Sequence, residues 1–360
     1  MKALGILRTC FIIAAGVLLG SCTPDGGTIY ATIETEHKVV DNTLPNDLRV
    51  GDIVMAASGG PYYVAAGPIY KGTLSGGTIT WTTLATTPAG SIANTLAWDG
   101  TNLWAGFFTP GTNLGLYRSS LPDTAAFVQE PAPAIGKQVT ALQASGTDLF
   151  AAFCDSTATT YELDDQKTGT WTGPLAAVSG ATTRIVGAAN DGTANFFTAS
   201  GLNVYAASSA TGTYGVVKTI AAGEVTSIFG DAAHGRVFVT TRTEGIFYTG
   251  DSGGNWTQVA APTVNSTVMP VLSIAGPIDA GNDKYLVGTD AAGFYTLSLG
   301  AGSLTRSTDS TIALYAASIR RILVDTNAGV STVFMGTNGA GLWRASFDST
   351  GSLSSTWTQE

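Results

Sequence analysis

Residues 245–256 read GIFYTGDSGGNW, an apolar aromatic run that passes through a glycine-rich acidic turn directly into tryptophan. Val237-Phe238-Val239-Thr240-Thr241 precedes it and Trp256-Thr257-Gln258-Val259 follows. The whole stretch reads as three short strands joined by tight turns. The same pattern recurs along the chain, so the period comes before any local assignment. The middle run has an aromatic at Tyr70, Tyr117, Tyr161, Tyr205, Phe247, Tyr295 and Trp343, spaced 42 to 48 residues apart. A β-type run such as YYVAAG (62–67) or VFVTT (237–241) stands before most of them. A further aromatic follows at Trp81, Phe127, Trp171, Tyr214, Trp256 and Trp357, with Leu304 the exception. One more β-run opens each unit, as in NTLAWDG (94–100) and EVTSIFGD (224–231).

Seven units of four short strands, each about 45 residues long, predict an all-β chain: a seven-bladed β-propeller of four-stranded antiparallel blades over 51–360. A lone blade cannot bury both faces, but blades stacked in a circle bury one another, which keeps some 310 residues in one domain. The recurring aromatics then fill the space between blades. A β-helix has shorter coils, two tandem sandwiches would not keep seven units in phase, and the Gly-His and Trp-Asp pairs of WD-type repeats are missing.

The first residues supply an address. Lys2 and Arg8 precede the apolar Phe11–Leu19, and small residues follow, which is a secretory signal too short to span a bilayer. Leu19-Gly20-Ser21-Cys22 resembles the bacterial lipobox. The resemblance implies cleavage after residue 21 and acylation of Cys22. Two or three acyl chains hold a protein on a membrane almost permanently, at about 0.8 kcal/mol per buried CH2. Thr23 follows, and the absence of aspartate there favours the outer membrane. Residues 22–50 read as a lipidated tether, with TIYATIETEHKVV (28–40) a candidate extra strand.

Removing Lys2 and Arg8 leaves 15 basic against 26 acidic residues. That balance argues against nucleic acid and against a polybasic grip on lipid. Cys22 and Cys154 are then the remaining cysteines, so no intramolecular disulfide is available, and Cys154 in LFAAFCDS reads as a buried thiol.

Thr249, Asp251, Gly253 and Trp256 fit S/T-x-D-x-G-x-x-W and resemble the Asp-box (BNR) hairpin of sialidase-like propellers. Degenerate versions lie at 119–127 and 345–357. The resemblance implies a structural staple between third and fourth strands, on the face opposite the ligand pocket, with Asp251 no catalyst. A sialidase of this type needs three arginines, an acid/base and a tyrosine nucleophile, and the family's early Arg-Ile-Pro is missing. Arg118 and Arg344 follow a third-strand aromatic and are expected to face solvent. Arg184, Arg320 and Arg321 stand where innermost strands begin beside the channel and are candidates for binding an anion. Glu224, Glu244, Asp52, Asp155 and Asp290 are the acidic candidates near the same mouth, and no spacing singles out a hydrolytic pair. The only histidines, His37 and His234, lack metal-ligand spacing, no glycine cradle leads into a helix, and GDSGG (250–254) is explained by the hairpin. The expectation is a membrane-anchored binding or scaffold propeller with a protein or glycan partner and no metal or cofactor. The alternative is a sialidase-like or other glycoside hydrolase.

Overall fold

The computed structural model describes residues 44–360 apart from 132–134, 146–147, 156, 158–159, 168, 176–177, 179–180 and 308–311. Cys22, His37 and the candidate strand 28–40 lie outside the described residues. Seven four-stranded antiparallel sheets follow one another along the chain, over 52–83, 92–129, 138–172, 185–219, 225–259, 271–306 and 319–359. Within each blade the strands pair in chain order. All seven repeat aromatics, Tyr70 through Trp343, fall on third strands. A two-stranded hairpin (Thr263–Val264 with Thr267–Val268) and one helical turn (Ile312–Tyr315) are added between blades.

First strands of successive blades pack against one another, and the series closes where Asp52–Met55 meets both Ile92–Trp98 and Ile319–Asn327. Aromatics from neighbouring blades meet at a tilt: Phe150 and Phe196 at 5.4 Å, Phe238 and Tyr285 at 4.5 Å, Tyr62 and Phe334 at 4.6 Å. These rings bury large areas that no single sheet could cover.

The closing seam between the first and seventh blades carries polar links as well as its apolar core. Asp325 accepts bonds from Ser58 Oγ (2.7 Å), Gly59 N (2.8 Å) and the Tyr62 hydroxyl (2.6 Å). Glu360 accepts from the Trp81 indole at 3.0 Å and from Arg344 at 2.5 Å. Arg344 also reaches the Gly77 carbonyl. The expectation that Arg344 faces solvent is therefore corrected: this side chain crosses the seam. Arg118 stays half in water and pairs with Glu130 at 2.6 Å. Leu44 and Val50 are buried in the same seam, and the Val50 amide bonds the Thr337 carbonyl.

The 245–256 stretch forms the hairpin between the third and fourth strands of blade 5 (Ile246–Thr249 and Thr257–Val259). Asp251 accepts from Thr249 Oγ1 (2.7 Å), Asn255 N (2.8 Å) and Asn255 Nδ2 (2.6 Å). Those donors, led by the Asn255 amide, favour the charged form and pull its pKa down to about 2. Gly253, at φ +89°, takes a left-handed conformation that a side chain would strain. Ser252 Oγ donates to Asp191 of the preceding blade at 2.8 Å, so the turn also staples two blades together. Asp348 repeats the arrangement in blade 7, accepting from the Thr350 and Ser352 amides.

Candidate binding site: the channel and its arginine mouth

Each first strand presents an unpaired edge to the ring axis, and together the seven enclose a cavity of about 330 Å³. That is the lower end of the range for small-molecule sites. Most first strands begin with a buried apolar residue and then a bulge, as at Ala93/Thr95, Val225/Ser227, Val271/Ser273 and Ile319/Arg321. The bulge re-aims the next side chains toward the neighbouring blade. Asn94 Nδ2 bonds the Val139 carbonyl, Thr226 Oγ1 that of Val271, and Ser273 Oγ that of Ile319. This collar of interblade bonds fixes the upper rim of the channel.

Arg321 and Asp52 meet on that rim. Arg321 Nε lies 3.0 Å from Asp52 Oδ1. Asp52 also accepts from Ile53 N (3.0 Å), Thr95 Oγ1 (2.9 Å) and Leu96 N (3.1 Å). It is a satisfied, buried carboxylate that offsets much of the Arg321 charge. Arg184 and Arg320 have no such partner. Among the described residues, no carboxylate lies within ion-pair distance of either; Arg184 donates to the Thr140 carbonyl at 3.1 Å. Arg184 is reached by water yet crowded by protein, and that crowding, followed by the charges of Arg321 and Arg320, lowers its pKa from the ordinary arginine value. Arg320 is lowered by burial first, then by Arg49 and Arg321, with Asp290 acting the other way. Like charges near one another repel, although water screens the exposed Arg49 and Arg184. An anion placed among them would relieve that repulsion.

Arg321 and Arg320 thus lie near enough to Arg184, and Arg49 to Arg320, for their charges to be felt. Glu224 and Glu244 are not drawn into this cluster. Glu224 faces Arg242 of its own blade at 3.9 Å, and Glu244 accepts from the Ala222 amide. Asp155 takes a bond from Thr160 Oγ1, as a turn former does, and Asp290 takes one from Ser318 Oγ at 2.5 Å. His234 sits against Asp231 at 2.8 Å, and no group of metal-ligating side chains occurs among the described residues. Cys154 is buried and free, its thiol pKa pushed up by burial. Arg49-Val50 stands at the same step of the repeat as Glu224-Val225: Val50 N bonds the last residue of the second strand of the preceding blade, and Val225 N the residue just after that strand. That correspondence was the sequence signal for Arg49.

No helix among the described residues is long and apolar enough to cross a membrane. No family model matches the chain, and no curated protein matches it. Solved structures do. A GH74 xyloglucanase from Xanthomonas campestris is similar with a TM-score of 0.66 at 14% identity, over 88% of this chain and 55% of that one. YCF48 bound to D1 peptide is similar with a TM-score of 0.60 at 13% identity, over 84% of this chain and 93% of that one. The extracellular domain of a protein assigned to the one-component systems in B. thetaiotaomicron gives 0.54 at 16%, over 74% of this chain and 34% of that one. Likeness at this level of identity extends to the fold: the chain shares a propeller architecture with enzymes, a peptide-bound protein and an extracellular domain.

Proposed function

We propose that this chain is an extracytoplasmic lipoprotein, held on a bacterial membrane through Cys22, with the outer membrane favoured. Its propeller acts by binding a protein or glycan partner at the arginine mouth, without cleaving it. The observation that carries this reading is that Arg320 and Arg321 act on Arg184, and Arg49 on Arg320, while among the described residues no carboxylate lies in ion-pair reach of Arg184 or Arg320, in a chain that is acidic as a whole. Guanidinium groups present forked donors suited to carboxylate, sulfate or phosphate. A glycosidase would require two available carboxylates. Here Asp52 is fully engaged, Glu244 accepts a local backbone amide, and Glu224 faces Arg242. The peptide-bound neighbour offers a parallel for a propeller that works by capture. The 249–256 hairpin is read as an Asp-box staple, with Asp251 structural.

Two experiments test this. Glycan and peptide arrays, scored for both binding and cleavage, are run with wild type and Arg184→Ala/Arg320→Ala. Retained anionic ligands that the variant loses, with no turnover, are expected; cleavage would favour the hydrolase, which the GH74 likeness keeps as the second reading. Labelling with a palmitate analogue should mark wild type and not Cys22→Ala.

A further inference from the structure

Two of the seams between blades are closed by the same three-residue clamp. Between blades 2 and 3, Glu130 accepts the Arg118 Nε–H on one carboxylate oxygen (2.6 Å) and the Trp171 indole N–H on the other (3.3 Å). Between blades 7 and 1, Glu360 accepts the Arg344 Nε–H (2.5 Å) and the Trp81 indole N–H (3.0 Å) in the same way. Both glutamates stand at one step of the repeat. Their amides bond the carbonyls of Leu116 and Leu342, each the residue before its blade's third-strand aromatic. In blade 6 that step is Ser307, whose amide bonds the Phe294 carbonyl ahead of Tyr295. Serine brings no carboxylate there. Blade 7 nevertheless supplies a tryptophan, Trp357, and blade 6 an arginine, Arg306, here from its fourth strand.

Arg306 Nε and Trp357 Nε1 are both buried, and neither has a hydrogen-bond acceptor. Trp357 is 6% exposed. The rest of the Arg306 head is fixed: it stacks on the Tyr315 ring at 3.5 Å, Nη1 donates to the Tyr315 hydroxyl, and Nη2 donates to the Ala292 and Tyr315 carbonyls. Among the described residues no carboxylate lies within ion-pair distance of Arg306. Arg306, Ser307 and Trp357 line one cavity of about 10 Å³ with Phe294 and Leu314. That is room for about one water-sized oxygen. The same two donor atoms that a glutamate joins in the other seams are thus present here without it, and buried donors left in that state are costly.

We propose that this notch binds a carboxylate from outside the fold, whose oxygens take the Arg306 Nε–H and the Trp357 indole N–H as Glu130 and Glu360 do in their seams. The ligand is a small organic acid or an acidic side chain of a partner protein. The planar carboxylate matches the guanidinium edge, and the small cavity disfavours a tetrahedral sulfate or phosphate. This site is independent of the arginine mouth and does not rest on that reading.

The test is an NMR titration of the full chain, carrying Cys22→Ala and nitrogen-15-labelled tryptophan, with Trp357 assigned through Trp357→Phe. Formate and acetate should move the Trp357 indole N–H signal saturably. The Trp81 and Trp171 indoles, already bonded to glutamates, should stay, and sulfate should leave Trp357 in place. Arg306→Lys keeps the charge but removes Nε, and should weaken acetate at least about tenfold, as loss of a charge-assisted bond does. Ser307→Glu should rebuild the clamp within the chain, raising the thermal midpoint and abolishing the acetate response. N-acetylglutamate N-methylamide binding more tightly than acetate would assign the notch to a partner's side chain; the reverse order would assign it to a free acid. No shift with any carboxylate, the same drift at every indole, or an equal response to sulfate would overturn the proposal. So would a response seen only in Asp309→Asn, because Asp309, which lies outside the described residues, would then be the chain's own occupant. The wild-type titration does not depend on any variant folding.

Discussion

Removing Asp325 should weaken the ring where it closes. Its carboxylate is 3% exposed and takes three bonds across the seam, two from the 58–59 turn and one from Tyr62. In Asp325→Ala, Ser58 and Gly59 are near enough to solvent to rebond with water. The Tyr62 hydroxyl, on a fully buried ring, is not. Stranding one buried hydroxyl costs about 1–3 kcal/mol, and losing the charged acceptor for the other two donors costs roughly 1 kcal/mol more. The expected loss is about 3 kcal/mol. Tyr62→Phe removes one of the bonds without stranding a donor, so about 1 kcal/mol is expected there. In a double-mutant cycle the pair should couple by on the order of 1 kcal/mol or more. Urea denaturation followed by tryptophan fluorescence measures all four states. An Asp325→Ala midpoint indistinguishable from wild type, with m unchanged, would refute the claim that this residue ties the first blade to the last.

Trp104 is fully buried between blades, whereas Trp256 is only half-buried against Phe197, so Trp104→Ala should cost about 3–5 kcal/mol and Trp256→Ala clearly less; equal midpoints would contradict this ordering. Asp164 is 1% exposed, and burial, then Glu162, raises its pKa to about 7. The folded state therefore holds a proton that the unfolded chain releases near pH 4, so stability should fall between about pH 4 and 7, and Asp164→Asn should flatten that fall in melts across the range. Gly341, at φ +74°, would bring a Cβ within 2.9 Å of the Asn46 carbonyl oxygen at the seam, so Gly341→Ala should destabilise, by more than the ~1 kcal/mol that an unstrained Gly→Ala change gains, read from its thermal midpoint.

The fold was legible because its strongest sequence feature and its main physical requirement coincide. Blades need large rings between them, and the rings at Tyr70 through Trp343 recur once per blade on a third strand. The fourth strand's aromatic falls on the strand at Trp81 and Trp171, and one residue before it at Phe127 and Trp256. The closing seam was less legible. Asp325 with Tyr62 and Trp81 with Glu360 are separated by 263 and 279 residues, and nothing local marks them as partners. The mouth was half legible. Arg184, Arg320 and Arg321 stand where repeat position puts them, but the Asp52 contact that offsets Arg321 spans 269 residues. Glu224 and Glu244 occupy comparable positions yet are captured by Arg242 and the Ala222 amide, which sequence position alone does not reveal.

The most direct test of the arginine mouth is a sulfate titration followed through the Nε–H signals of the arginines by NMR. Arg184, Arg320 and Arg321 should shift together and saturably, while Arg236, bonded to Tyr285, and Arg344, bonded to Glu360, stay in place. No saturable shift, or the same drift at every arginine, would contradict a binding site at the head of the channel.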